Sequence, residues 1–134
     1  MLGEKMGSMA CKAVNKVLPS QGTLPKFEVT VEGSGTLAGV QVQTISTYYA
    51  EMRADGSMYG ELPNSGVVMA ADGLAMFRAT GIGGMTEDGG SKFRGACYFE
   101  TTAPSLMGLN GKAMIYEWDV APDGSANWEI WHWA

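Results

Sequence analysis

The feature that most constrains this chain is a turn signal that keeps returning. Asp-Gly stands at the centre of Ala54-Asp55-Gly56-Ser57, Ala71-Asp72-Gly73-Leu74, Glu87-Asp88-Gly89-Gly90 and Pro122-Asp123-Gly124-Ser125, and Gly33-Ser34-Gly35 and Asn110-Gly111 add two more. These pairs suit the left-handed backbone of tight hairpin turns, which other residues disfavour. Between them lie runs of two-residue periodicity. In Lys92–Glu100, Phe93, Gly95, Cys97 and Phe99 alternate with Lys92, Arg94, Tyr98 and Glu100, the pattern of a half-buried strand. The same reading places strands at Phe27–Glu32, Val40–Arg53, Met58–Leu62, Val67–Ala71, Leu74–Ile82, Lys92–Thr101, Ala113–Val120 and Ala126–Trp133.

About eight strands joined by hairpins predict an all-β meander. Closure into a single antiparallel up-and-down barrel pairs the two edges that an open sheet would expose. Pro63-Asn64-Ser65-Gly66 is the alternative signal, a corner where the chain would change sheets. With 134 residues the chain suffices for one core. Residues 1–24 lack alternation, while Cys11, Val14 and Leu18 have helical spacing and Pro19 would stop a helix. They are expected to form a short N-terminal helix capping the barrel, or a tail, with the barrel domain at 25–134.

Composition excludes several partners. The net charge is −5 and Lys and Arg are scattered, so no basic patch tracks phosphates and nucleic acid is not expected. No unbroken apolar run opens the chain, so neither a leader nor a membrane span is expected, and the location expected is cytoplasmic. Two cysteines outside any C-x-x-C spacing and a single histidine leave no expected metal site, and no cofactor motif stands up. Gly33-Ser34-Gly35-Thr36-Leu37-Ala38 fits a dinucleotide fingerprint, yet Val40-Gln41-Val42-Gln43 continues as strand where a helix is required, so it reads as a turn. Gly81-Ile82-Gly83-Gly84 lacks a phosphate-loop lysine and reads as a bend or bulge.

The last hairpin carries the candidate chemistry. A two-residue Asp123-Gly124 turn sets Trp128 opposite Asp119, Ile130 opposite Glu117 and His132 opposite Ile115. Glu117 and His132 then share a face with Trp128, close enough on the diagonal to handle a proton together. The other face carries Tyr116, Trp118, Trp131 and Trp133, read either as core or as the seam of a homodimer. Arg78 interrupts Leu74, Met76, Thr80 and Ile82, which suits a carboxylate partner, Glu117 or Glu100, or an anionic group of a ligand, unless it points outward and Ala75, Phe77 and Ala79 point in. Of ten methionines, Met52, Met58, Met69, Met76 and Met114 fall in expected strands, where with aromatic residues such as Phe99 and Trp128 they would line a pocket adaptable to an apolar ligand, or serve as core filler.

Gly33-Ser34-Gly35-Thr36-Leu37, together with Leu106-Met107-Gly108-Leu109-Asn110-Gly111-Lys112-Ala113 ahead of a late strand, resembles the small bacterial barrels of unknown function related in shape to allene oxide cyclases. The resemblance implies a calycin-like eight-stranded barrel with a central cavity, often self-associating. It transfers no catalytic residue. Three functions follow as expectations: a binder of a small, mostly apolar or amphipathic molecule, a cyclase or isomerase using the same cavity through Glu117 and His132, and a solid-core homo-oligomeric interaction module.

Overall fold

The computed structural model describes residues 2–22 and 24–134. Eight strands close one antiparallel barrel in sequence order: β1 Leu2–Leu18, β2 Lys26–Leu37, β3 Val40–Met52, β4 Met58–Ala70, β5 Gly73–Met85, β6 Ser91–Thr101, β7 Met114–Val120 and β8 Ser125–Trp133. A 3-10 helix, Pro104–Leu109, precedes β7. The up-and-down barrel is as expected, but its eight strands are not the expected eight.

The segment assigned to a helix or tail is β1. It pairs with β2 from Gly7↔Leu37 to Leu18↔Lys26, and with β8 from Leu2↔Trp133 to Lys12↔Ser125, which closes the barrel. The barrel thus begins at Leu2 and not at residue 25. Met1 and Thr23, also within the segment assigned to a tail, lie outside the described residues. Alternation is weak here for a physical reason. Met9, Cys11 and Ala13 are buried inside the barrel, but beyond Ala13 the strand leaves β8 and runs on with β2 alone, and Val14 and Val17 are 56% and 74% exposed. With water on both faces, nothing enforces a two-residue pattern.

The expected strands Met58–Leu62 and Val67–Ala71 are one strand, β4. Pro63-Asn64-Ser65 is an excursion within it, where the ladders to β3 and β5 slip register and Asn64 takes φ 59°. Ser65 Oγ donates to the Thr47 carbonyl across the gap at 2.6 Å. The extra residues leave β4 in the same sheet, so this is a bulge and not a corner between sheets. Gly33-Ser34-Gly35 is likewise strand and not turn. The chain reverses at Ala38-Gly39, and a side chain at Gly33 would stand 2.6 Å from the Ala10 carbonyl oxygen of β1. Gly81-Ile82-Gly83-Gly84 also runs in unbroken register with β6, without a bulge.

Three Asp-Gly hairpins share one geometry. The N–H of Arg53, Thr86 and Ala121 donates to the carbonyl of Ser57, Gly90 and Ser125, and the glycine N–H returns to the first residue's carbonyl. Gly56, Gly89 and Gly124 have φ near +90°. This is the three-residue loop ending in a left-handed glycine, not the two-residue turn. Hydrogen bonds from the Ser57 and Ser125 hydroxyls and amides hold Asp55 and Asp123 below the usual carboxylate range, and Thr86 and the Gly90 amide do the same for Asp88.

The one-residue difference reverses the last hairpin. Trp118 pairs with Trp128, Tyr116 with Ile130 and Met114 with His132. A slip of one residue exchanges the two faces of a strand. Met114, Tyr116, Trp118, Trp128 and Ile130 therefore build the interior, and Glu117, Asp119, Glu129, Trp131 and Trp133 lie on the outer wall.

Candidate functional site

The two ends of the barrel differ. At one end Leu106 and Leu109 of the 3-10 helix are fully buried, seated as a plug. Asp72, in the β4–β5 turn, accepts hydrogen bonds from the Ser105 amide (2.8 Å) and hydroxyl (2.6 Å), and Asn110 brackets Thr101, accepting from its N–H at 3.0 Å and donating to its carbonyl at 2.9 Å. Those contacts tie both ends of the plug to the barrel rim.

The opposite end is an open mouth of about 370 Å³. Tyr48 and Phe93 form its floor, Phe27, Val29, Ala50, Met58 and Val120 contribute to its wall, and Lys12, Asn15 and Asp123 stand among its polar groups. Tyr48 and Phe93 also line a deeper chamber of about 60 Å³, whose other walls include Val31, Ser46, Phe77, Trp118 and Trp128. Around the chamber the lumen is filled by aromatic packing, and toward the plug by aliphatic side chains such as Leu37, Val68, Met114 and Ile130. Phe77, Phe99 and Trp128 pack with centroids 5.0 to 6.2 Å apart, Phe99 stacked on Trp128 and Phe77 tilted against both, and Tyr48 meets Phe93 and Trp118 edge to face at 6.1 and 6.4 Å.

Glycine makes the room for this packing. Gly60, Gly81 and Gly95 are neighbours across β4, β5 and β6, with Tyr116 next in the row. The Tyr116 ring reaches over this bare backbone and its hydroxyl donates to the Thr80 carbonyl at 3.0 Å. Trp118 Nε1 donates to the Tyr48 hydroxyl at 3.0 Å, binding β7 to β3 through the lumen. Burial raises the pKa of both phenols, that of Tyr48 to about 12.

The expected site residues are divided by this geometry. Glu117 faces outward, within 3.9 Å of Arg94, which also holds Asp119 at 2.8 Å, while His132 faces inward at the plugged end. The proposed proton-handling pair is thus on opposite sides of the wall. Arg78 is exposed on the outer face of β5 and forms no ion pair with any described residue, and Met76 shares that face, so neither lines the lumen. Phe99 and Trp128 are inside, 5% and 6% exposed. The seam drawn from Tyr116, Trp118, Trp131 and Trp133 is also split, two inside and two outside. Cys97 and Cys11 are buried, and loss of solvation raises both thiols, that of Cys11 to about 11.

The residues missed by sequence reasoning are Ser46, Tyr48, Phe93 and Trp118. The signal for Tyr48 was its place in the alternating row Val42, Thr44, Ser46, Tyr48, Ala50, which faces inward along β3. The adjacent Tyr49 obscured it, since one tyrosine of the pair faces in and the other out.

No family model matches the chain, and no curated protein matches it. Solved structures do. A conserved protein of unknown function from Rhodopseudomonas palustris superposes with a TM-score of 0.80 at 14% identity, covering 98% of this chain and 97% of that one. A protein of unknown function from Clostridium acetobutylicum gives 0.77 at 12% identity, covering 98% of both. These likenesses span the whole chain and concern its fold, a closed barrel of unknown function.

Among the described residues no helix is long and apolar enough to cross a membrane, and no three His, Cys, Asp or Glu side chains gather as a metal site.

Proposed function

We infer that the barrel binds a small, mostly apolar molecule without covalent chemistry, and that it does so at its open mouth. The observation that carries this reading is the asymmetry of the ends, one plugged by Leu106 and Leu109 and the other open to about 370 Å³ above an aromatic floor. That volume lies in the range of small-molecule sites, roughly 300–1,000 Å³, whereas the inner chamber is far below it. The ligand's body is therefore placed higher in the barrel than a central cavity would put it. A relation to the calycin-like and allene-oxide-cyclase-like barrels goes with this reading on the sequence resemblance alone. A cyclase or isomerase working through Glu117 and His132 loses its residues, because they do not meet. Two buried free cysteines suit the reducing cytoplasm, the location that goes with this reading.

Ala50→Trp tests the site. Ala50 is 2% exposed and lines the mouth, so an indole there fills it from the wall. A fluorescence titration with the neutral dye N-phenyl-1-naphthylamine is expected to show saturable binding to the native barrel and at least a tenfold loss in the variant. Equal binding by both, with the variant's melting profile intact, would place the dye elsewhere and end this reading.

A second reading, self-association through the C-terminal strand, is supported by Leu2 and Trp133. They are cross-strand partners on the outer wall and are 56% and 57% exposed. If they form a seam, Trp133→Ser converts a dimer to a monomer in sedimentation velocity. A native chain that sediments as a monomer at all concentrations rules the seam out.

A further inference from the structure

We propose that the mouth selects a neutral molecule bearing a hydrogen-bond-accepting oxygen, a ketone, aldehyde, ester or quinone carbonyl on an apolar body, and that Tyr48 is the residue that selects it. This rests on the reading of the mouth as a binding site and names the class of ligand it takes.

Tyr48 lies where the mouth meets the inner chamber and lines both. Its oxygen accepts the Trp118 indole N–H at 3.0 Å. A phenol carries one proton of its own to donate, and among the described residues no group accepts it. Ser46, the preceding inward residue of β3, is 6% exposed and its hydroxyl has no partner among the described residues either. The other two hydroxyls of the chamber are engaged, Thr44 with the Val67 carbonyl at 2.9 Å and Tyr116 with the Thr80 carbonyl at 3.0 Å. Two consecutive unclaimed donors therefore face a small apolar space. Donors that open into an apolar space are rarely left unmade, so their acceptor comes from water or from a ligand.

The same residues decide the acceptor's charge. No cationic side chain lines the chamber, and Glu61, the one charged residue in its wall, turns its carboxylate to the outer face beside Tyr59, so a carboxylate or phosphate there would lose its hydration without gaining a counter-ion. An ammonium brings donors where acceptors are needed. The Tyr48 phenol, raised to about 12, remains a neutral donor throughout the physiological range. A chamber of about 60 Å³ holds a head group of a few heavy atoms, since a liquid water occupies about 30 Å³. The apolar body then stays in the mouth, against Phe93 and Met58.

Two probes of nearly equal shape separate the alternatives, 2-acetylnaphthalene and 2-ethylnaphthalene, titrated calorimetrically into the native protein and Tyr48→Phe. Transfer from water alone favours the ethyl compound. One hydrogen bond reverses this, and the native protein is expected to prefer the acetyl compound by about fivefold. Tyr48→Phe is expected to lose the preference while still binding the ethyl compound. The Trp118 indole ¹H–¹⁵N resonance should also shift further with the acetyl compound than with the ethyl one. Both compounds binding the native protein without an acetyl preference, or a preference that survives in Tyr48→Phe, overturns carbonyl selection and leaves the mouth standing as a site. Binding of neither overturns the mouth and this inference together. Should Tyr48→Phe fail to fold, the native protein decides, because an indole resonance that does not distinguish the two probes overturns the role of Tyr48.

Discussion

Trp128→Ala is expected to lower the unfolding free energy by about 3–5 kcal/mol, the usual cost of removing a large buried aromatic side chain. Trp128 is 6% exposed, packs tilted against Phe77 at 5.0 Å, stacks on Phe99 at 6.2 Å, and faces Trp118 across the β7–β8 ladder. It is the residue through which the central aromatic stack meets the last hairpin. A closed barrel cannot easily collapse onto the lost volume, because each strand is held on both sides by its neighbours, so the cavity term is retained in full. Urea denaturation followed by far-ultraviolet circular dichroism measures the loss. The void would join the chamber that Trp128 already lines, so millimolar indole should raise the melting temperature of the variant and leave the native protein unchanged. A loss below about 1 kcal/mol would show that the wall does collapse, contrary to the expectation for a rigid barrel.

Gly95→Ala is expected to be as damaging, although it adds a single methyl group. A Cβ at Gly95 would collide with the Thr80 carbonyl oxygen and stand 2.7 Å from the Gly81 Cα. Both obstacles are backbone of β5, the strand paired with Gly95. No rotamer change relieves them, so β5 and β6 must part or the inner row must shift, and Tyr116 packs over that row. Overpacking of this kind costs about 3 kcal/mol, toward the upper end of its range. Gly108→Ala is the control, since a Cβ there meets nothing within 4 Å and the residue has no positive φ. Thermal melts should separate the two substitutions widely. Similar melting temperatures would mean that the β5–β6 ladder tolerates a side chain inside the barrel.

Local chemistry made much of this architecture legible. Asp-Gly and its neighbours marked where the chain reverses, and the alternation through Phe93, Gly95, Cys97 and Phe99 correctly assigned the faces of β6. Turn dihedrals and strand periodicity are properties of a few consecutive residues, so they survive reading in isolation. Closure was expected on the general ground that an open sheet exposes two edges, but the strand that closes the barrel, β1, was not among those read from the sequence.

Three matters were decided by the tertiary structure. Asp-Gly serves both a two-residue turn and a three-residue loop with a left-handed glycine, and the two differ by one residue of register. In the last hairpin the longer loop puts Trp118 and Trp128 into the lumen and separates Glu117 from His132, an outcome visible only once the facing strands supply the apolar surroundings. β1 reads as irregular because its far end is wet on both faces, and it is recognisable as a strand only through the partners on either side, β2 and β8. The candidate site follows the same logic. A row of inward residues on β3 and a tryptophan on β7 lie 70 residues apart in the chain, and only barrel closure brings the Trp118 indole to the Tyr48 hydroxyl. The sequence by itself determined that the chain reverses at its Asp-Gly pairs and alternates between them; the pairing of distant strands determined the turn types, the closing strand, the faces, the plug and the mouth, because burial on a barrel wall depends on what stands across the lumen.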